Sequence, residues 1–271
     1  MVTTWKDLLR PGDATSFFDR DPLPRFDPAA RAYSPANAWW LAELSRLVYR
    51  HDVEEVPSPP QPSRSSFLAK VGLRQLAFFD DHGTGTQAFL VQSEGAGRFA
   101  ALVFRGTEQD VRDFLSDLNT APVPVPGTDV MVHGGFVSAL DSVWKDIAPM
   151  LAALEGPVFY AGHSLGAALA TLAAFRRAPA AVYTYGSPRV GDASFAAAVE
   201  KLPLYRVVDD ADLVATVPPE ALGFRHAGEL HRIAPGTGPL QFSPLAWLQW
   251  LIGPPKRLAD HAPINYVDRI H

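Results

Sequence analysis

The 271-residue sequence predicts an α/β fold with one mostly parallel central sheet covered by helices on both faces. Three observations predict it. From residue 130 onward, short apolar runs suited to strands alternate with longer stretches of helical period. The earlier runs at 73–79, 87–92 and 99–104 are separated only by turn-formers and read as an antiparallel meander. The length fits one large domain, residues 1–271, better than two ordinary ones, and 47% hydrophobic residues suffice for a sizeable core.

The elements follow in order. Residues 11–35 are rich in Pro, Asp and Arg without an apolar period, so they are expected to wrap a surface without regular structure. Ser34 as N-cap and Pro35 at the first helical position then start a helix, with Trp40, Leu41, Leu44, Leu47 and Val48 at helical spacing. The Pro-Ser run at 57–66 reads as a loop. After the meander, 130–132 is a predicted strand. Phe136, Leu140, Val143, Ile147 and Leu151 mark a helix that Gly156-Pro157 stops. Strands follow at 158–160, 181–185 and 205–208. Helices follow at 165–175, closed by Arg176 and Arg177, and at 193–200, capped by Asp192. Residues 224–233 resemble a hairpin.

Composition narrows the function. A net charge of −5 without a block of like charge excludes nucleic acid as the expected partner. The absence of cysteine excludes disulfides, thiolate metal sites and cysteine nucleophiles, and no metal is expected. The first residues carry no long apolar run, and no stretch reaches the roughly 18 to 20 apolar residues of a membrane helix. The default expectation is a cytoplasmic protein, with secretion of a processed form as the alternative.

The chemistry centres on Gly162-His163-Ser164-Leu165-Gly166, where a strand turns into an Ala-rich helix with serine at the corner. This is a G-x-S-x-G nucleophile elbow. Glycines flank the serine because strand and helix approach closely there. The helix N-terminus places backbone N–H groups beside a reacting carbonyl, with Leu165 as an oxyanion donor. A serine hydroxyl needs a histidine base, and the base needs a carboxylate to hold its tautomer. In the order Ser, acid, His, the histidines late enough are His226, His231, His261 and His271. Asp209, Asp210 and Asp212 all follow the strand at 205–208, and position alone does not choose among them. His163 points away from the nucleophile by strand alternation and reads as a packed core histidine. His133 reads as structural support.

Several ordered segments carry a resemblance. They are Val103-Phe104-Arg105-Gly106-Thr107, Val132-His133-Gly134-Gly135-Phe136, the elbow, Tyr185-Gly186-Ser187-Pro188-Arg189-Val190-Gly191-Asp192, Arg206 through Val214, and Asp260-His261-Ala262-Pro263-Ile264-Asn265-Tyr266. From about residue 100 to 266 the chain resembles the class 3 lipases, the family of the filamentous-fungal lipases. The resemblance implies an α/β-hydrolase fold with Ser164 as nucleophile, Asp212 as acid and His261 as base. It also implies Thr107 as the second oxyanion donor and the hydrolysis of acyl esters, acylglycerols first, without a cofactor. Phospholipid, galactolipid or feruloyl esters are the alternatives on the same machinery, since specificity sits in pocket shape. A catalytically silent binding protein is a further alternative, disfavoured because all three residue types are present in order.

Two apolar stretches bear on the substrate. In 108–119, Val111, Phe114, Leu115 and Leu118 share one helical face. Amphipathicity fits a surface helix equally well; the resemblance to the class 3 lipases, in which a lid helix lies here after the oxyanion residue, implies a lid that meets a lipid–water interface. The stretch 243–254 is apolar nearly all round, with a Ser-Pro start and a Gly-Pro stop. Burial is the simpler reading, with an acyl-binding wall as the functional one.

Overall fold

The computed structural model describes residues 3–50, 62–95, 97–107, 118, 121–233 and 254–271. Strands β1 (Leu73–Asp81), β2 (Thr86–Ser93) and β3 (Ala100–Phe104) form the expected antiparallel meander. Two short strands, β4 (Val123–Pro124) and β5 (Met131–Val132), pair with each other outside the main sheet. The main sheet continues through β6 (Val158–His163), β7 (Ala181–Tyr185), β8 (Leu204–Asp209) and β9 (Glu229–Ile233). Its order is β1-β2-β3-β6-β7-β8-β9, parallel from β3 onward.

Helices cover both faces, and strand alternation divides the core between them. Leu102 and Phe104 of β3 pack with α4 (Gly134–Ala152) and α5 (Leu165–Arg176), while Ala101 and Val103 turn to the other face. There α2 (Pro35–Leu47) supplies Trp39, Leu41 and Leu44. Shorter helices are α1 (Trp5–Leu9), α3 (Arg64–Lys70), α6 (Ala193–Ala198), α7 (Lys256–Ala259) and α8 (Pro263–Arg269). The capping logic holds locally. The Ser34 hydroxyl accepts the Asn37 N–H at 3.2 Å, and Asp192 accepts the N–H groups of Ser194 and Phe195.

Four expectations need correction. Residues 11–35 lack regular structure apart from a 3₁₀ turn at Pro11–Asp13, yet they are not merely a surface wrap. Phe17 and Phe18 are buried, and Phe26 stacks on Phe99 at 3.8 Å. The fully buried Glu43 fixes this segment by accepting the Phe18 N–H at 2.8 Å, while Arg46 donates to the Ser16 carbonyl. The predicted strand at 130–132 shrinks to two residues because Val132 bridges Gly191 rather than joining the main sheet. The loop read at 57–66 ends early: α3 starts at Arg64 on a Ser63 cap, and 51–61 lie outside the described residues. Finally, 224–233 is not a hairpin. The chain doubles back over 210–228 to the start of β8, so β9 adds in parallel, with Arg206 opposite Leu230. The apolar stretch 243–254 lies outside the described residues except Pro254.

Candidate active site

The site sits at the carboxyl ends of β6, β7 and β8. Between β6 and α5 the chain reverses at Ser164, which adopts φ 60° and ψ −125°. This positive φ is costly for a residue with a β-carbon and persists only where the surroundings enforce it. They do so from both sides. A β-carbon on Gly162 would run into the Gly166 backbone, and one on Gly166 into the Phe104 carbonyl. Ala167, Ala168 and Ala170, all fully buried, let the helix lie close to the sheet. Leu165 then opens α5, where first-turn N–H groups have no intrahelical acceptor. Thr107 follows Gly106, where an added β-carbon would run into the His163 carbonyl, so the loop leaving β3 runs beside the elbow.

The structure brings Asp212 and His261 together. Both are buried, and His261 Nδ1 lies 2.8 Å from Asp212 Oδ2. A carboxylate only accepts, so Nδ1 carries the proton and Nε2 keeps its lone pair, as a base requires. Asp212 also accepts the Tyr266 hydroxyl on Oδ2 at 2.5 Å and the Val214 N–H on Oδ1 at 2.8 Å. Burial pushes the Asp212 carboxyl up. Electrostatic attraction to the His261 ring and the hydrogen bonds from His261 and Tyr266 outweigh that push and hold it below the usual carboxylate range.

Gly186 links this pair to the serine. Its φ is 58°, and a β-carbon there would press on both Asp212 Oδ2 and His261 Nδ1. The residue before it, Tyr185, accepts the Ser164 N–H at 3.0 Å. Ser164 Oγ makes no hydrogen bond among the described residues. Such bonds often tighten only when substrate is bound.

The other candidates are placed elsewhere. Asp209 pairs with Arg269 and Asp210 with Lys256, and each of these cations also reaches Asp260. Burial raises the Asp209 carboxyl to about 6. His231 stacks on Tyr33 at 3.6 Å, and His226 Nε2 donates to the Ala215 carbonyl. His133 occupies the N-cap position of α4 without a side-chain capping bond, and its ring lies against Phe136. His163 is buried as expected, between the Tyr49 hydroxyl at 3.1 Å and the His261 carbonyl at 2.6 Å. Of the candidate substrate contacts, Val111, Phe114 and Leu115 lie outside the described residues. Leu118 is described, and it is buried in the core on the α4 face. Tyr266 and Tyr49 were missed by the sequence reading. Tyr266 had a signal, its place in the Asp260–Tyr266 segment, whereas nothing local marks Tyr49.

Two histidines, His163 buried and His226 half-buried, set a pH dependence. Burial pushes His163 from 6.5 down to about 3, and burial with the nearby Arg206 charge does the same to His226. Below pH 6.5 the unfolded chain binds protons that these folded rings refuse. Their contribution to stability is therefore complete above that pH and is lost as pH falls toward 3. Thermal unfolding followed from about pH 8 to about pH 4 is expected to show Tm falling on the acid side. His226→Asn is expected to flatten that fall. Superimposable slopes for the variant and the parent would refute the assignment.

The chain's likenesses agree with this geometry. The family described as Lipase (class 3) matches residues 101–222. A lipase of Rhizomucor miehei is 38% identical over 147 residues, covering 47% of this chain and 40% of that protein. A secreted mono- and diacylglycerol lipase of Fusarium solani is 36% identical over 157 residues, covering 53% of this chain and 46% of that one. The chain thus spans under half the length of these curated relatives. A solved triacylglycerol lipase whose catalytic centre is a serine protease triad superposes with a TM-score of 0.55. It is 31% identical and covers 62% of this chain and 69% of its own. The fold is that of the α/β-hydrolases. The cytoplasmic default is corrected by the Fusarium relative, which is a secreted protein. On the matched profile and on 31% identity across 69% of a solved triacylglycerol lipase, the chain belongs to the class 3 lipase family.

Proposed function

We propose that this chain hydrolyses carboxylic esters, acylglycerols first, through an acyl-enzyme on Ser164, and that it acts outside the cell on lipid at a water interface. The observation that carries this reading is the strained Ser164 backbone, φ 60° and ψ −125°, next to the buried Asp212–His261 pair. Strain of this kind marks a residue held for chemistry rather than for packing.

The steps follow from the donor and acceptor set. His261 Nε2 takes the Ser164 proton as Oγ attacks the ester carbonyl, and Asp212 stabilises the imidazolium that forms. The oxyanion is held by the N–H groups of Leu165 and Thr107. His261 returns the proton to the departing alcohol, and water activated by the same Nε2 then cleaves the acyl-enzyme. No cofactor takes part. Residues 1–271 act as one domain, and 108–119 is the lid.

The test joins two measurements. A fluorophosphonate is expected to label Ser164, and hydrolysis is expected across a series of acyl-chain lengths. In the lid, Phe114→Asp is expected to lower turnover of emulsified long-chain esters much more than that of a dissolved short-chain ester. Removing apolar surface from the contact weakens lipid docking by about 25 cal/mol per Å². Equal losses on both substrates would end the lid reading. Failure to label would end the hydrolase reading.

A further inference from the structure

The histidine inside the elbow is well placed for more than filling space. Its ring is buried, with the His261 ring centroid 4.4 Å away and the Tyr266 ring 5.8 Å away. Its two nitrogens have assigned roles. The His261 carbonyl can only accept, so His163 Nε2 carries the proton and donates at 2.6 Å. Nδ1 is then a lone pair, which accepts the Tyr49 hydroxyl at 3.1 Å. The residue preceding the nucleophile is therefore bonded to the main chain of the base itself. The same Tyr49 hydroxyl abuts Gly106, where a β-carbon would collide with it, and Gly106 directly precedes Thr107.

We propose that His163 and Tyr49 form a buried positioning clamp. It sets the distance between Ser164 and His261 and seats the Thr107 loop against both. Neither residue is a reacting group in the proposed mechanism, so they act through the groups they hold. The His261 carbonyl fixes the His163 tautomer, and that tautomer leaves Nδ1 to accept the Tyr49 hydroxyl, which holds the ring in place. Burial keeps the His163 ring neutral, with its pKa down to about 3, so the ring does not become a second cation when His261 protonates during turnover. Three loops that are distant in sequence thus meet on one phenol and one imidazole. Catalytic geometry tolerates little error, and a displacement of about 1 Å can cost about 10²-fold in rate.

The proposal rests on the reading of Ser164 and His261 given above, and its test separates the two. The full chain is assayed on a soluble p-nitrophenyl ester, with active sites counted by fluorophosphonate titration and folding followed by thermal unfolding. His163→Leu removes the donor to His261. It is expected to lower kcat by about 10- to 100-fold with KM unchanged. His163→Gln restores an N–H near the same place and is expected to recover most of that loss. Tyr49→Phe, which deletes only the hydroxyl, is expected to lower kcat several-fold, again at constant KM. Unchanged kcat per titrated site in folded His163→Leu overturns the clamp, as does a Gln variant no better than Leu. If the His163 variants fail to fold, Tyr49→Phe carries the test, and full kcat there overturns the proposal. A parent enzyme that neither labels nor hydrolyses would defeat the functional reading instead.

Discussion

Ser164→Ala is expected to reduce ester turnover by roughly 10⁴- to 10⁶-fold while leaving Tm close to that of the parent. In the proposed mechanism the serine, base and acid act as a unit, so losing the nucleophile removes the covalent route and leaves only binding and oxyanion stabilisation. The fold should tolerate the change because Ser164 Oγ makes no hydrogen bond among the described residues. The main-chain turn is enforced by Gly162, Gly166 and Phe104 rather than by the hydroxyl. His261→Ala is expected to fall to a similar floor. Steady-state kinetics on a soluble ester, with fluorophosphonate labelling beside it, reads both variants. Activity within about a hundredfold of the parent in either would remove that residue from the catalytic set.

The acid gives the second large effect. Asp212→Asn is expected to cost about 10⁴-fold in kcat. The carboxylate now accepts from His261 Nδ1, from the Tyr266 hydroxyl and from the Val214 N–H. An amide has one accepting oxygen and would set its NH₂ against one of these donors. If that donor is the imidazole, His261 is driven to the tautomer whose Nε2 carries a proton and cannot act as a base. Asp209→Asn and Asp210→Asn are expected to lose far less, because those carboxylates face Arg269 and Lys256. The three variants should be compared at one pH on folded protein. A severe Asp209→Asn beside a mild Asp212→Asn would move the acid to Asp209 and leave the mechanism standing.

Much of this was legible in the sequence because its signals are local. The period change near residue 130, the Ser34-Pro35 helix start, the Asp192 cap and the glycines around Ser164 each report on a few neighbouring residues. All four correspond to observed structure. The elbow is the strongest case: its glycines are required by contacts within one strand–turn–helix unit, so residue order alone specifies it. The meander was equally readable, since turn-formers fix antiparallel neighbours.

What the sequence did not decide were relations between segments far apart in the chain. Asp209, Asp210 and Asp212 stand within four positions, and composition and strand position treat them alike. They differ because β8 ends at Asp209 and the chain then turns, with Asp210 at φ 29°, leaving Asp212 under the ring that arrives 49 residues later. The resemblance to a family chose Asp212, and the fold supplied the reason. The direction of β9 depended on how 210–228 return across the sheet, which no local pattern records. The Tyr49–His163–His261 contact joins residues 114 and 98 positions apart. By itself, then, the sequence determined the fold class, the serine at the elbow as the candidate nucleophile and the menu of candidate bases and acids, because strand and helix periods and tight turns are short-range. Only the tertiary structure selected the partners, because a hydrogen bond across the sheet depends on where whole elements pack.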